Sequence, residues 1–211
     1  MSSSLSSIKR PRRPESPQKM WREICWVNNF LAVSGDLPSN PEKALEQLRM
    51  WESEGITDVF DMREERDDSD FIHANSSITC HWFGVDDNGG VRDDAWFNAL
   101  CERAYEVLND TTAKRRMLVH CHMGVNRGPS ALFAIMIATG WGALEALRRI
   151  RDVRPIAGII YAPDAMRWWA LDSGYDDEDA SNQVEEVRAW LARNDLDLHY
   201  VIRAIGARLA N

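Results

Sequence analysis

Short apolar runs typical of β-strands alternate with segments of helical periodicity along most of this 211-residue chain. Parallel strands need a crossover connection, which is most often a helix, so the alternation predicts an α/β fold. We expect a central, mostly parallel sheet flanked by helices on both faces. The predicted strands are 24–27, 31–33, 56–60, 78–85 and 117–120, and the predicted helices are 41–54, 93–109, 129–139 and 143–153.

The C-terminal part carries two further apolar stripes at helical spacing, which predict extra C-terminal helices. Such stripes usually pack on a core, and a groove for a partner protein is the alternative. We assign these helices to an extension at 181–211, after a main domain at 22–172. The two stripes consist of Val184, Val187 and Leu191, and of Leu198, Val201, Ile202, Ile205 and Leu209.

Charge is distributed unevenly along the chain, whose formal net charge is −8. Residues 1–20 carry +4 and are rich in Ser and Pro, so their composition predicts a disordered basic tail. This tail either keeps the chain in solution or docks on an acidic partner such as nucleic acid. The oligomeric state is not defined by the sequence.

Two compositional features bear on the compartment. The longest apolar run, Ala131 to Ala138, is far shorter than the roughly 20 residues of a membrane-spanning helix, so we expect no membrane partner. The four cysteines lack Cys-x-x-Cys spacing, which argues against a zinc site and a disulfide framework. We therefore expect a reducing, cytoplasmic location and no bound metal.

The stretch richest in chemistry runs from residue 119 to residue 130, where a predicted strand ends and a helix begins; it reads VHCHMGVNRGPS. A loop at a helix N-terminus points backbone N–H groups into one concavity, where the helix dipole favours an anion. We expect these donors to hold Cys121 as a nucleophilic thiolate, with a pKa below that of a free cysteine. Arg127, six positions later, has the forked geometry to grip two phosphoryl oxygens.

Cys121, five intervening residues and Arg127, preceded by Val119 and His120, resemble the signature loop of the cysteine-dependent protein phosphatases. The similarity to dual-specificity phosphatases extends over residues 22–172. The segment from Phe60 to Glu65 also resembles the strand-end sequence of related bacterial tyrosine phosphatases. The resemblance implies the cysteine-phosphatase fold, a phosphorylated protein as substrate, a phosphocysteine intermediate and no cofactor. It leaves open whether phosphoserine and phosphothreonine are hydrolysed besides phosphotyrosine.

The same resemblance assigns roles to the residues around Cys121. His120 is expected beneath the loop as a hydrogen-bond support, and Ser130 is a supporting residue on the following helix. The residues expected to bind the phosphate are His122, Met123, Gly124, Val125 and Asn126.

A general acid is needed to protonate the departing oxygen of the substrate. The resemblance implies an aspartate on a mobile loop between the strand at 78–85 and the helix at 93–109. The register relative to Phe97 selects Asp87, whereas a shift of one residue would select Asp86. Turn-forming roles for both aspartates are the structural alternative.

Gly128 departs from the family pattern, which has Ser or Thr after the loop arginine. That hydroxyl helps the cysteine leave, so we expect slow hydrolysis of the phosphocysteine unless Ser130 substitutes for it. Two other functions stay open: an RNA 5′-phosphatase of the same superfamily, and a catalytically weak phosphopeptide-binding module. A phosphoinositide phosphatase is disfavoured because the loop interior has no lysine.

Overall fold

The computed structural model describes residues 10–209, which form five strands and nine helices. The strands are β1 Cys25–Trp26, β2 Leu31–Ser34, β3 Asp58–Arg63, β4 Thr79–Val85 and β5 Met117–His120. The helices are α1 Pro17–Met20, α2 Pro41–Ser53, α3 Ser69–Asn75, α4 Asp94–Leu108, α5 Arg127–Ala138, α6 Ala143–Val153, α7 Ala162–Asp172, α8 Asp177–Arg193 and α9 Leu198–Leu209.

The five strands form one sheet in the order β1-β2-β5-β3-β4. Strands β2, β5, β3 and β4 run parallel, and β1 pairs antiparallel with β2 as a hairpin at the edge. The predicted α/β fold with a mostly parallel central sheet is confirmed. In register, Ser34 and Asp61 flank His120, so β2 and β5 end side by side next to residue 121, and β3 continues two residues further, to Arg63.

Helices cover both faces of the sheet. Strand residues alternate between the two sides, so Val59 and Leu118 pack with α2 and α3, while Phe60 and Val119 pack with the cluster that contains α4, α5 and α6. Helix α5 is buried from Arg127 to Ile137, as expected for a helix enclosed between the sheet and other helices. The site at its N-terminus therefore rests on a rigid core element.

Two elements between α2 and β4 differ from the sequence prediction. Strand β3 runs to Arg63 instead of ending at Phe60, because Arg63 forms a buried ion pair with Asp61 at 2.7 Å that lets two charged residues lie inside the sheet. The short helix α3 follows and was not predicted, since only Ile72 among its residues is fully buried.

The prediction of a disordered tail is wrong for residues 10–20; residues 1–9 lie outside the described residues. The backbone N–H of Arg12 donates to the carbonyl of Asp195 at 2.8 Å, and its carbonyl accepts from Asp197 at 3.0 Å. Pro17 is buried, and α1 packs on α9. Composition predicts disorder here because it does not register pairing with a segment that lies far away in the sequence.

Both predicted C-terminal helices are present. In α9, Val201 and Ile205 are fully buried in a cluster that includes Trp21 and Val125, whereas Ile202 is 46% exposed. The stripe therefore packs on the core through Val201 and Ile205, and this packing places α9 behind the loop that follows β5.

No helix among residues 10–209 is both long and apolar enough to cross a membrane. The division into units at 22–172 and 181–211 stays a prediction.

We expect Ile205→Ala to destabilise the protein by about 2–5 kcal/mol, because it leaves a cavity in this buried cluster. The control is Ile202→Ala on the same helix, for which we expect a change within about 0.5 kcal/mol. The measurement is the free energy of unfolding in urea. Equal effects of the two substitutions would show that α9 does not pack as described.

Candidate active site

The predicted phosphate loop connects the central strand β5 to the N-terminus of α5. Cys121 directly follows the last residue of β5, and Arg127 is the first residue of α5. Both are buried, with 2% of Cys121 and 5% of Arg127 exposed. In open α/β sheets, ligands bind at the carboxyl ends of the strands, which is where this loop lies.

A buried guanidinium fixes the path of the loop from outside. Arg154 is fully buried and donates from Nε to the carbonyl of Gly124 at 2.6 Å and from Nη2 to that of Met123 at 3.1 Å. The same side chain donates to the carbonyls of Met20 and Trp21 at 3.1 and 2.9 Å. Arg154 thus ties two successive loop carbonyls to the N-terminal segment.

The neighbouring loop carbonyls are also bound outside the loop. The indole of Trp21 donates to the carbonyl of His122 at 2.9 Å, and the N–H of Gly158 donates to that of Val125 at 2.6 Å. Four successive carbonyls therefore accept hydrogen bonds from outside the loop. The N–H groups of Gly124 and Gly128 act to lower the pKa of the Cys121 thiol, as expected of an anion cradle.

Two glycines make this path possible. Gly124 has a φ of +60°, and a Cβ there would lie 2.5 Å from the carbonyl oxygen of Ser34. At Gly128 a Cβ would lie 3.2 Å from the backbone nitrogen of Cys121 and from the carbonyl carbon of His120. Gly128 therefore lies so close to the end of β5 that a side chain at this position would crowd the backbone of His120 and Cys121. This contact is a steric reason for the departure from the family pattern.

The thiol of Cys121 does not have the lowered pKa expected from the sequence. Burial raises the pKa of Cys121, and the Asp87 carboxylate adds to the rise. Arg127 and the N–H groups of Gly128 and Gly124 act in the opposite direction and are outweighed. The expectation considered only these donors, and it is wrong in direction because desolvation of the fully buried thiol dominates.

The guanidinium of Arg127 is held by a carboxylate that the sequence analysis did not place in the site. Its two terminal nitrogens donate to the two oxygens of Glu65 at 2.6 and 2.7 Å, and Nη1 also donates to the carbonyl of Val85 at 3.0 Å. This pairing lowers the pKa of Glu65 to about 2. Nε of Arg127 is buried without a hydrogen-bond partner among the described residues. The position of Glu65 just beyond the end of β3 is the signal that could have identified it.

The two candidate aspartates face different ways. Asp87 accepts from Asn126 Nδ2 at 2.6 Å and from the Tyr161 hydroxyl at 3.0 Å, and it lies 3.6 Å from Arg127 Nε. Asp86 instead pairs with Arg92 at 2.5 Å. The structure therefore brings Asp87 to the phosphate loop.

The side chain of Asn126 connects this loop to the segment before α7. Its Oδ1 accepts from the N–H of Ile160 at 2.7 Å and from the hydroxyl of Ser130 at 3.3 Å. The Ser130 hydroxyl also accepts from the N–H of Tyr161 at 3.2 Å. Ser130 is thus committed to positioning Asn126, and the roles of Ile160 and Tyr161 were not anticipated because they lie more than 30 residues away in the sequence.

The two histidines beside Cys121 occupy different environments. His120 is fully buried against the Trp51 ring, and burial lowers its pKa. Neither of its ring nitrogens has a hydrogen-bond partner within residues 10–209, so the expected hydrogen-bond support is wrong and the ring supports the loop by packing. His122 lies on the rim, with Nδ1 2.7 Å from Asp36 Oδ2.

The mouth of the site is an open depression of about 570 Å³ with a ring of carboxylates around one guanidinium. Within the described part of the chain, no three His, Cys, Asp or Glu side chains converge to hold a metal ion. The residues that line the mouth are Glu64, Glu65, Asp86, Asp87, Asn88 and Arg127.

No protein-family model matches the chain, and no curated protein matches it. Solved structures do match it. The structure of DUSP15 is 20% identical with a TM-score of 0.55, covering 77% of this chain and 95% of its own. The structure of human tyrosine phosphatase-like serine/threonine/tyrosine-interacting protein is 16% identical with a TM-score of 0.57, covering 72% and 99%. PTPMT1 in complex with PI(5)P is 16% identical with a TM-score of 0.52, covering 77% and 95%. The chain therefore has the fold of the dual-specificity and tyrosine phosphatases.

We expect Asp87→Asn to lower the pKa of Cys121, because it removes the negative charge that disfavours the thiolate. Alkylation of Cys121 by iodoacetamide at pH 7 should become about three- to ten-fold faster, since a tenfold rise in thiolate corresponds to one pKa unit. The measurement is mass spectrometry of the Cys121 peptide. The control Asp86→Asn should change the rate less than about two-fold. An unchanged or slower rate in Asp87→Asn would contradict this electrostatic account.

Proposed function

We propose that this chain is a cysteine-dependent phosphatase that hydrolyses phosphotyrosine in phosphorylated proteins through a phosphocysteine at Cys121. The observation that carries the proposal is the convergence on one buried thiol of inward N–H donors, the Arg127 guanidinium and the Asp87 carboxyl group. The same fold occurs in proteins whose names range from phosphatases to a phosphatase-like interacting protein, so the fold alone does not establish catalysis.

Before the first step, the proton held by the Cys121 thiol in the free site passes to the Asp87 carboxylate by way of the bound phosphoryl group. The Cys121 thiolate then attacks the phosphorus, and the bond from phosphorus to the tyrosine oxygen breaks. The loop N–H groups and Arg127 hold the equatorial phosphoryl oxygens as charge develops on them. Glu65 engages both terminal nitrogens of Arg127, so Nε, which has no hydrogen-bond partner among the described residues and lies 3.6 Å from Asp87, is the donor left for the incoming phosphate. Asp87 delivers its proton to the departing tyrosine oxygen.

In the second step water attacks the phosphocysteine, and the Asp87 carboxylate accepts a proton from that water. Inorganic phosphate and the Cys121 thiolate are the products. Gly128 offers no hydroxyl to assist the departing sulfur, and the Ser130 hydroxyl is bonded to Asn126 and to the N–H of Tyr161. We infer that this second step limits turnover.

The surface charge supports a protein substrate over a nucleic acid or a lipid. The four carboxylates around Arg127 repel a ligand that presents many phosphates to the mouth, such as an RNA 5′ end or a phosphoinositide headgroup in an anionic membrane.

The four cysteines are buried and free, which supports a reducing, cytoplasmic location. Whether phosphoserine and phosphothreonine are also substrates is part of the test.

Asp87→Asn should lower kcat on a phosphotyrosine peptide roughly 100-fold or more, because the tyrosine oxygen then departs unprotonated. The loss should be smaller on p-nitrophenyl phosphate, whose leaving group is more stable as an anion. The matched control Asp86→Asn should keep kcat within about three-fold, since Asp86 pairs with Arg92 and not with the phosphate loop. Cys121→Ser should be inactive on both substrates. Loss of activity in Asp86→Asn but not in Asp87→Asn would contradict the assignment.

Slow hydrolysis of the phosphocysteine should produce a burst of about one nitrophenol per enzyme before the steady state. The measurement is rapid-quench kinetics with p-nitrophenyl phosphate, together with mass spectrometry of the acid-quenched Cys121 peptide. Cys121→Ser serves as the control and should show neither burst nor phosphopeptide. Steady turnover without a burst would show that the first step is limiting.

A further inference from the structure

A second concave surface lies apart from the mouth of the Cys121 site. It has a volume of about 800 Å³ and lies between α1, β1, the N-terminus of α2 and the end of α9. Its lining has four basic residues against two glutamates, Glu23 and Glu54, together with two tryptophans. The basic and aromatic residues are Lys19, Arg22, Lys43, Arg208, Trp21 and Trp26.

This basic groove carries positive charge that the fold does not neutralise. Lys19, Lys43 and Arg208 are exposed, and none forms an ion pair with a carboxylate in the part of the chain that the structure describes. Arg22 lies 3.7 Å above the Trp21 ring, and burial, with a smaller contribution from Arg208, lowers the pKa of Arg22. Such an excess is unusual on a chain of net charge −8 and marks the groove as complementary to an anion.

The basic groove is joined to the phosphate loop through one side chain. Trp21 lines the groove, donates to the carbonyl of His122 and meets the His122 ring edge-on at 6.1 Å between centroids. Arg22 also pairs with Asp36 at 3.0 Å, and Asp36 contacts His122. The groove therefore reaches the rim of the loop one residue from Cys121.

We propose that the basic groove binds an acidic or additionally phosphorylated segment of the substrate peptide, next to the phosphoresidue held at Cys121. This inference rests on the proposed function and adds a preference for substrate sequence. The mouth has four carboxylates and one guanidinium, whereas the groove has four basic side chains and two carboxylates, so the net charge of the lining changes from negative to positive between them. A bound peptide is complementary to it when its acidic residues extend toward the groove.

A peptide is more complementary to this distribution of charge than RNA or an anionic membrane is. RNA or an anionic membrane presents negative charge on every side, so it would meet the carboxylates of the mouth as well as the groove. A peptide carries its anionic residues on one side of the phosphoresidue only. The groove also exposes Trp26 and Met50, which offer apolar contact area to peptide side chains.

The test compares three phosphotyrosine peptides, with a run of glutamates before the phosphotyrosine, with the same run after it, or with glutamines in both places. We expect kcat/KM to favour one glutamate peptide about five-fold or more over the glutamine peptide. Lys43→Glu should reduce this ratio at least about three-fold, as should high salt. Glutamate is favourable in the first turn of α2, so the helix is expected to remain folded.

The control is Lys114→Glu, the same charge reversal on an exposed lysine that precedes β5 at the opposite end of the sheet from Cys121. It should leave the ratio unchanged. Equal kcat/KM values for all three peptides, or a preference that Lys43→Glu does not reduce, would overturn the proposal.

Failure of the proposed function has a different signature, which is no turnover of p-nitrophenyl phosphate by the native chain. Fluorescence anisotropy of the labelled peptides then tests the groove directly. Preferential binding of one glutamate peptide that Lys43→Glu weakens would support it, and the absence of such a preference would overturn it. Tighter binding of a single-stranded RNA oligonucleotide or of an anionic phospholipid vesicle, lost in Lys43→Glu, would overturn the assignment to a peptide.

Discussion

The hydrogen bonds of Arg154 hold together the parts of the molecule on which the site depends. A fully buried guanidinium is costly to desolvate, and its cost is offset here by carbonyl acceptors instead of a carboxylate. Each such charged hydrogen bond contributes about 1.5–3 kcal/mol. Because the acceptors belong to the N-terminal segment and to the phosphate loop, the loop keeps its shape only while residues 20–23 stay packed beneath it. The N-terminal segment is thus part of the architecture of the candidate site.

The electrostatics of the site are set by a balance around Arg127. Glu65 and Asp87 offset its charge while burial disfavours the Cys121 thiolate, so the site without a ligand does not hold two unpaired charges. Glu65 also fixes the orientation of the guanidinium, which spares a substrate the cost of ordering it. The carboxylates that create this order repel a phosphate, and the basic groove that we propose for the substrate segment would offset this repulsion.

The sequence predicts best what is encoded locally. The strand from Met117 to His120 and the helix from Ala143 to Val153 have the predicted bounds, because hydrophobic periodicity and Gly140–Gly142 mark them directly. The contacts that define the site are between distant segments. Glu65 pairs with a residue 62 positions away, and Arg12 pairs with the chain before α9. Neither pairing leaves a periodic signal, and desolvation of the buried Cys121 depends on packing that a motif does not encode.

The close approach of Gly128 to the end of β5 bears on both the shape of the phosphate loop and its chemistry. Arg154 and Gly158 draw the loop carbonyls outward, and α5 begins so close to β5 that a Cβ at position 128 would press on the backbone of Cys121. A hydroxyl-bearing side chain at this position would need the backbone to move by a few tenths of an ångström, against a network that fixes it from three sides. The contacts that hold the loop therefore disfavour a side chain at position 128, and the slow second step that we propose would follow from the same contacts.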